Sequence, residues 1–355
     1  MRYDTIQIVQ RLAPGGIEML ALRLAKALPG RNAILSLEGS ADELRAAWPA
    51  VASYEVDVFA LGKEKGISVG LVRNLTEQLR IFSPRSVFTH HIGPLLYGGL
   101  AARLAGVRTV VHVEHDVWHH RAPRRRLQLR LASSLLRPTL AAISHDAAAA
   151  LGRVTGARRV VVVPNGIDLG LYKAGACGAG RALLGVPAGL PIIGCVGRLE
   201  PVKGHASLLH ALSRLAADVH LVIVGDGSQR QPLQTLAREL GVSGRVHFAG
   251  HRDDVHALYP AFDVLCLPSE QEGLPFVVIE AQACGTPVVA TDVGSVRAAL
   301  CPETSRVVPP RDVTALADAL GETIHRPRVR SPRDFIAQFF DWDATVRRYT
   351  ILAKG

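Results

Sequence analysis

Short runs of β-branched and aliphatic residues recur along the chain, each closed by a turn and followed by a stretch of helical period. In the first half they are 5-TIQIVQ-10, 33-AILSL-37, 86-SVFT-89, 109-TVVHVEH-115, 140-LAAI-143 and 160-VVVV-163. In the second half they are 192-IIGCV-196, 219-VHLVIV-224, 245-RVHFA-249, 264-VLCL-267 and 288-VVA-290. Helical periods lie between them, over 17–28, 205–217, 229–240, 254–261 and 276–284. In the first of these, Ile17, Leu20, Ala21, Leu24 and Leu28 share a side. Alternating strands and helices predict parallel sheets covered on both faces. Two such series predict an α/β chain of two Rossmann-like domains with their sheets facing across a cleft. The Gly-, Pro- and Ala-rich span 164–191 reads as the linker. The expected domains are 1–165 and 166–340, with a terminal helix over 341–355 packing back on the first.

The rest of the composition narrows the class. The 355 residues are 48% hydrophobic and 20% charged, which fits a globular chain. Five cysteines, at 177, 195, 266, 284 and 301, are scattered through mostly apolar surroundings and predict buried, reduced thiols in the cytoplasm. The start, MRYDTIQIVQRL, alternates like a strand and lacks the apolar centre of a signal peptide. No run approaches the ~18 apolar residues of a membrane span. The net charge of +10 is one-sided. Residues 1–175 hold 23 lysines and arginines against 13 acids, and the remainder balances at 18 against 18. Arg121, Arg124, Arg125, Arg126, Arg130 and Arg137 flank Leu127, Leu131 and Leu135, which recur every four residues. Such a helix is either a solvated basic face or a surface for anionic headgroups or a phosphate-bearing acceptor. With no zinc-finger spacing and 5% aromatics, no nucleic-acid partner is expected.

The stretch 272-EGLPFVVIEAQACG-285 poses a chemical question. Pro275 suits a helix start and Gly285 a helix stop, so Phe276–Cys284 reads as a helix that is apolar nearly all round. Two carboxylates, Glu272 and Glu280, bracket its first half. A buried carboxylate must be paired or hydrogen-bonded. One reading is a structural ion pair. The other is a pair of acceptors for ligand hydroxyls beside the exposed N–H groups of a helix start, an arrangement suited to a sugar joined to a diphosphate.

Other residues fall at strand ends, where open α/β sheets bind ligands. Gly15-Gly16 follows the first strand and is either an ordinary turn or a close approach to a phosphate or sugar; it is not a GxGxxG fingerprint. In 197-GRLEPVKG-204, Arg198 and Lys203 bracket a short loop before a helix and could clamp a diphosphate. His115 ends a strand and is expected to face the cleft. His112, Glu114, His119 and His120 surround it without zinc-site spacing, so no metal is expected. Asp341-Trp342-Asp343 is a DxD, read as helix-capping or surface charge.

These pieces, in this order, resemble glycosyltransferase family 4, retaining enzymes of the GT-B fold. The resemblance is carried by 164-PNGID-168, 197-GRLEPVKG-204, 224-VGDG-227, 248-FAGHRDD-254 and 268-PSEQEGLPFVVIEAQACGTPVVAT-291, the last containing the family's paired glutamates. The first half resembles the family more loosely, through Gly15-Gly16, His115-Asp116 and Ser144, and 40–85 and 117–138 carry no such piece. Gly294-Ser295 stands where members often have Gly-Gly.

The resemblance implies a catalytic set of Arg198, Lys203, Glu272 and His115. Arg198 and Lys203 would bind the diphosphate, Glu272 the sugar hydroxyls and Glu280 the ribose hydroxyls. Gly197, Gly225, Asp226, Gly227 and Arg252 would line the nucleotide pocket. The backbone of Gly273, Leu274, Pro275 and Phe276 would meet sugar and diphosphate, and Gly16 would contribute from the first domain. It implies transfer of a hexose-type sugar, from UDP in preference to GDP, to an envelope glycan or lipid-linked acceptor. The reaction would need no cofactor or metal and would take place in the cytoplasm, peripherally on the inner face of the membrane. A sugar-nucleotide epimerase or phosphorylase of the same fold would act without an added acceptor. A non-catalytic sugar-nucleotide binder would keep the pocket without turnover, and an NAD oxidoreductase would need the absent fingerprint.

Overall fold

The computed structural model describes residues 2–64, 66–116, 122–175, 177–186, 189–326 and 331–355. The chain divides into two compact units: Met1–Asn165 with Asp343–Gly355, and Gly166–Trp342.

The first unit is built on seven parallel strands: β1 (Thr5–Arg11), β2 (Asn32–Glu38), β3 (Asp57–Ala60), β4 (Ser86–His90), β5 (Thr109–Glu114), β6 (Thr139–Ala142) and β7 (Val161–Val162). Their order is β3-β2-β1-β4-β5-β6-β7, so the winding reverses between β1 and β4. Side chains alternate across the sheet. Ile6 and Ile8 of β1 join the core with Leu71, Leu75 and Val87. Val9 and Ile34 join that of Ala21, Leu22 and Trp48 on helix Gly16–Ala27 and beyond. Sheets buried on both faces need near-continuous apolar strands, which is why these runs were legible. Helix Trp342–Lys354 completes this unit. Tyr349 is fully buried with its ring 5.7 Å from that of Phe88, and the Thr345 hydroxyl donates to the Pro164 carbonyl at 3.0 Å.

The second unit holds six parallel strands: β8 (Ile192–Val196), β9 (His220–Val224), β10 (Val246–Gly250), β11 (Val264–Leu267), β12 (Val288–Thr291) and β13 (Arg306–Val308). Their order is β10-β9-β8-β11-β12-β13, with the reversal between β8 and β11. Ile193, Leu208, Leu221, Ile223, Val264 and Leu320 are fully buried in its core.

Three expectations change. The span 164–191 is not a simple linker, because it carries helix Cys177–Leu184. A Cβ on Gly180 would lie 2.7 Å from the Ala257 carbonyl oxygen, so this glycine permits close packing rather than flexibility. The helix expected over 254–261 stops at Leu258 and continues as a 3₁₀ turn, Tyr259–Ala261, containing Pro260, which lacks the N–H a further helical turn requires. The amphipathic tail is two helices, Arg333–Phe339 and Trp342–Lys354. Between them, Asp341 bridges in parallel to Ile167.

Candidate functional site

In the second unit, Gly197, Arg198, Lys203, Glu272, Gly273, Leu274 and Pro275 lie on the loops that leave β8 and β11, where the winding reverses, while Gly225, Asp226 and Gly227 follow β9 and Arg252 follows β10. Loop 197–204 is held against its neighbour 224–227 by backbone bonds. The Gly197 N–H donates to the Val224 carbonyl and the Leu199 N–H to that of Asp226, both at 2.9 Å. Gly225 has φ +135, and a Cβ there would lie 2.0 Å from the Gly197 carbonyl oxygen, so only glycine fits. The same loop meets the one after β11. The Glu270 N–H donates to the Val202 carbonyl at 2.8 Å, and a Cβ on Gly204 would lie 2.0 Å from the Pro268 carbonyl oxygen.

These contacts fix the polar groups. Lys203 Nζ lies 2.6 Å from Glu272 Oε1, which also accepts from the Ser269 hydroxyl at 2.7 Å. The Glu272 side chain is 9% exposed and that of Lys203 is 23% exposed. The ion pair therefore satisfies a nearly buried carboxylate while the ammonium keeps donors to spare. Arg198 is exposed. Among the described residues, its guanidinium donates to no carboxylate. Arg252 is engaged differently, in a two-pronged pair with Asp254 at 2.7 and 2.5 Å. Asp226 accepts from the Gly227 N–H at 2.8 Å.

Glu280 projects from helix Phe276–Ala283, for which Pro275 is the N-cap. Its Oε2 accepts from the Tyr259 hydroxyl at 2.7 Å. Tyr259 is fully buried, and burial together with the Glu280 charge pushes its hydroxyl well above the usual range. Glu280 thus has a structural partner for one oxygen; Oε1 accepts from no group among the described residues. Each glutamate is thus anchored through one oxygen, as the structural reading of the pair expects. Gly273 and Leu274 are set by the loop after β12: the Ser295 N–H donates to the Gly273 carbonyl at 3.1 Å. The anchors Ser269 and Tyr259 escaped sequence reasoning, because a hydroxyl partner leaves no spacing signal.

In the first unit, Gly15 is the extended N-cap of helix Gly16–Ala27 and Gly16 is its exposed first residue. His115 follows β5 and is 3% exposed. Ser144 caps helix His145–Thr155, its hydroxyl accepting from the Ala147 N–H at 3.1 Å. His91 occupies the left-handed region at φ +77, with its ring 5.8 Å from that of His115. Backbone strain of this kind concentrates at functional sites. Among the described residues, no group of three or more His, Cys, Asp or Glu is placed to hold a metal ion. His119, His120 and Arg121 lie outside those residues. Cys195, Cys266, Cys284 and Cys301 are buried thiols, and burial pushes Cys195 up to about 12.

The chain matches two family models, "Glycosyltransferase Family 4" over residues 14–171 and "Glycosyl transferases group 1" over 190–326. It is similar to the D-inositol 3-phosphate glycosyltransferase of Mycolicibacterium smegmatis, with 37% identity over 199 residues, 53% of this chain and 45% of the relative. The chain spans about half the length of the curated relatives it matches. Among solved structures, it superposes on Anabaena HepE in complex with UDP and glucose with a TM-score of 0.85, covering 99% of both chains at 23% identity. It superposes on WaaG, a glycosyltransferase involved in lipopolysaccharide biosynthesis, with a TM-score of 0.69, covering 98% of this chain and 95% of WaaG at 18% identity. The fold they share is GT-B.

Proposed function

The chain belongs to glycosyltransferase family 4, and on that premise we propose that it transfers a hexose-type sugar from a nucleoside-diphosphate sugar, UDP in preference to GDP, to a hydroxyl of an envelope glycan or lipid-linked acceptor, with retention of configuration. The observation that carries this reading is the Lys203–Glu272 pair at 2.6 Å, held beside the start of helix Phe276–Ala283 with Arg198 exposed on the same loop. Cleaving the anomeric C–O bond puts negative charge on the diphosphate and positive character on the sugar. Arg198, Lys203 and the helix N-terminus stabilise the departing diphosphate. Glu272 orients sugar hydroxyls through the oxygen that Lys203 leaves open, and Glu280 accepts from the ribose. The incoming hydroxyl attacks on the face from which the diphosphate leaves, and its proton departs to the diphosphate oxygen. The UDP in the HepE complex supports the choice of base.

A panel of nucleotide sugars tests the proposal through thermal shift, donor hydrolysis and transfer to added acceptor. UDP-hexoses should stabilise the chain and yield UDP. Conversion of the donor to another nucleotide sugar without acceptor, or stabilisation by NAD alone, would overturn it. Because fixed cations supply the leaving-group charge, activity is expected to survive EDTA. Loss on chelation, with recovery on adding Mg²⁺ or Mn²⁺, would reassign that role to a metal.

The acceptor is proposed to lie at an anionic membrane surface. Helix Pro123–Leu136 buries Leu129, Ala132 and Leu136, yet Leu127, Leu131 and Leu135 are 58%, 52% and 79% exposed. Arg124, Arg125, Arg126 and Arg130 are exposed around them. An apolar stripe edged with arginines suits an interface with anionic lipid, where each basic residue contributes on the order of 1 kcal/mol, screened by salt. No helix among the described residues is long and apolar enough to cross a membrane. Co-sedimentation with vesicles containing anionic lipid should occur, weaken with salt, and fall when Arg124, Arg125 and Arg126 become Ser. Failure to bind at low ionic strength would make the helix a solvated face. WaaG's role in lipopolysaccharide biosynthesis supports an envelope acceptor.

A further inference from the structure

At the start of strands β9 and β10, two imidazoles of the second unit face each other. His220 is the first residue of β9 and His247 the second of β10. Val222 stands opposite His247 in the parallel register, so His220, two residues earlier, presents its ring on the same face. His220 Nδ1 lies 2.9 Å from His247 Nε2, and the rings are stacked, with 20° between their planes and centroids 5.2 Å apart. Both residues are half-buried, and β10 is the edge of its sheet. The loops of the candidate donor site leave the opposite ends of these strands, where the Gly225 N–H donates to the Gly250 carbonyl at 2.7 Å. Five residues of extended chain, roughly 16 Å, separate that end of β9 from His220.

Two properties suit this pair to a metal ion. The first is its charge state. Burial pulls both rings below the usual imidazole range; Arg245 adds to this at His220 and His220 adds to it at His247, while Asp218 opposes it at His220. The Arg245 guanidinium is itself committed to the carbonyls of Leu212 and Ala216. Both rings are therefore neutral at neutral pH, the form that binds a metal. The second property is the bite. An imidazole nitrogen binds a divalent ion such as zinc at about 2.0–2.1 Å, so two such bonds at a right angle set the nitrogens roughly 2.9 Å apart, and at the tetrahedral angle roughly 3.3 Å. The observed 2.9 Å matches the right angle of a square-planar or tetragonal ion. In the free pair one ring donates to the other. On metal binding that ring's proton passes through water to its outer nitrogen, so both facing nitrogens become lone pairs and both rings stay neutral. Among the described residues no third His, Cys, Asp or Glu joins them, so water fills the remaining positions.

We propose that His220 and His247 form a two-histidine chelate for a divalent transition-metal ion, Cu(II) or Ni(II) in preference to Zn(II), which clips the edge strand β10 to β9. The site is structural and stands apart from the donor loops, so it holds whether or not the reading of the sugar donor does. The folded chain sets the two nitrogens at chelating distance and the unfolded chain does not, so the bound ion stabilises the fold.

The test titrates Cu(II), Ni(II) and Zn(II) into the full chain at neutral pH in a non-coordinating buffer, followed by calorimetry, electron paramagnetic resonance and thermal melting. One Cu(II) should bind ahead of any weaker equivalents, show hyperfine coupling to two imidazole nitrogens, and raise the melting temperature by several degrees. His220→Gln and His247→Gln should each weaken that first equivalent by about tenfold or more and abolish the rise, because the second arm of a chelate acts at high effective concentration. His210→Gln removes an exposed histidine outside the pair and should leave both readouts unchanged. Coupling to a single nitrogen, or a first equivalent that persists in either His220→Gln or His247→Gln, would overturn the chelate. Zn(II) binding more tightly than Ni(II) would overturn the square-planar assignment. The parent's spectrum counts the nitrogens without any substitution, so the test stands even where a variant folds poorly.

Discussion

Lys203→Ala is expected to lower kcat by about 10²-fold or more, the scale on which removing one preorganised group aimed at developing charge acts. Two effects add. On the proposed mechanism the departing diphosphate loses a cation, and Glu272, with its side chain 9% exposed, loses its partner at 2.6 Å. The second effect reaches the folded state as well, because a carboxylate stripped of its counter-charge in a nearly buried position destabilises the loop that carries it. Lys203→Ala should therefore melt earlier as well as turn over slowly. Arg198→Ala supplies the contrast. Its side chain is exposed, so kcat should fall on a similar scale with little change in melting. Steady-state kinetics beside thermal melts of both variants make the comparison. Near-normal turnover in the two together would remove these cations from the mechanism.

Gly294→Ala is the second large effect. Gly294 has φ +56, and a Cβ there would sit 1.9 Å from the Glu272 carbonyl oxygen and 3.5 Å from that of Gly273. The obstruction is backbone and cannot turn aside. Left-handed strain and overpacking each cost about 1–2 and 1–3 kcal/mol. Relief requires moving the segment that presents Glu272 and leads into helix Phe276–Ala283. A lower urea midpoint and lost stabilisation by UDP-sugar should appear together. Gly244→Ala is the control, since a Cβ there meets nothing within 4 Å. If Gly294→Ala binds and unfolds like the parent, the loop after β12 is soft and does not set the site.

The fold was legible where strands are buried on both faces, since Ile192–Val196 or Val264–Leu267 must then be apolar throughout. The two strands sequence reasoning passed over, Asp57–Ala60 and Arg306–Val308, are the edges of their sheets. An edge strand is short and half-solvated, so its pattern fades into the neighbouring loop. At the site, cations, carboxylates and glycines were visible because their residue types are unusual at those positions. What holds them was not. Ser269 and Tyr259 are ordinary hydroxyls, and His90 faces His115 only because β4 and β5 are neighbours, a pairing that lies in strand order. The Leu127, Leu131 and Leu135 periodicity announced a helix, but which apolar face turns inward depended on Leu129, Ala132 and Leu136 packing with Leu95 and Leu140.

The helix Trp342–Lys354 gives the chain an uneven timetable during synthesis. The first unit has all seven strands once residue 162 has left the ribosome, yet the side chain that covers Phe88 is Tyr349. Everything in the second unit, from Gly166 to Trp342, is made in between. The unit that begins first is thus completed last, and until then its sheet shows an uncapped apolar patch around Phe88. A nascent chain halted before residue 343 would carry a finished second unit and an unfinished first one, the state in which a chaperone would find most to hold.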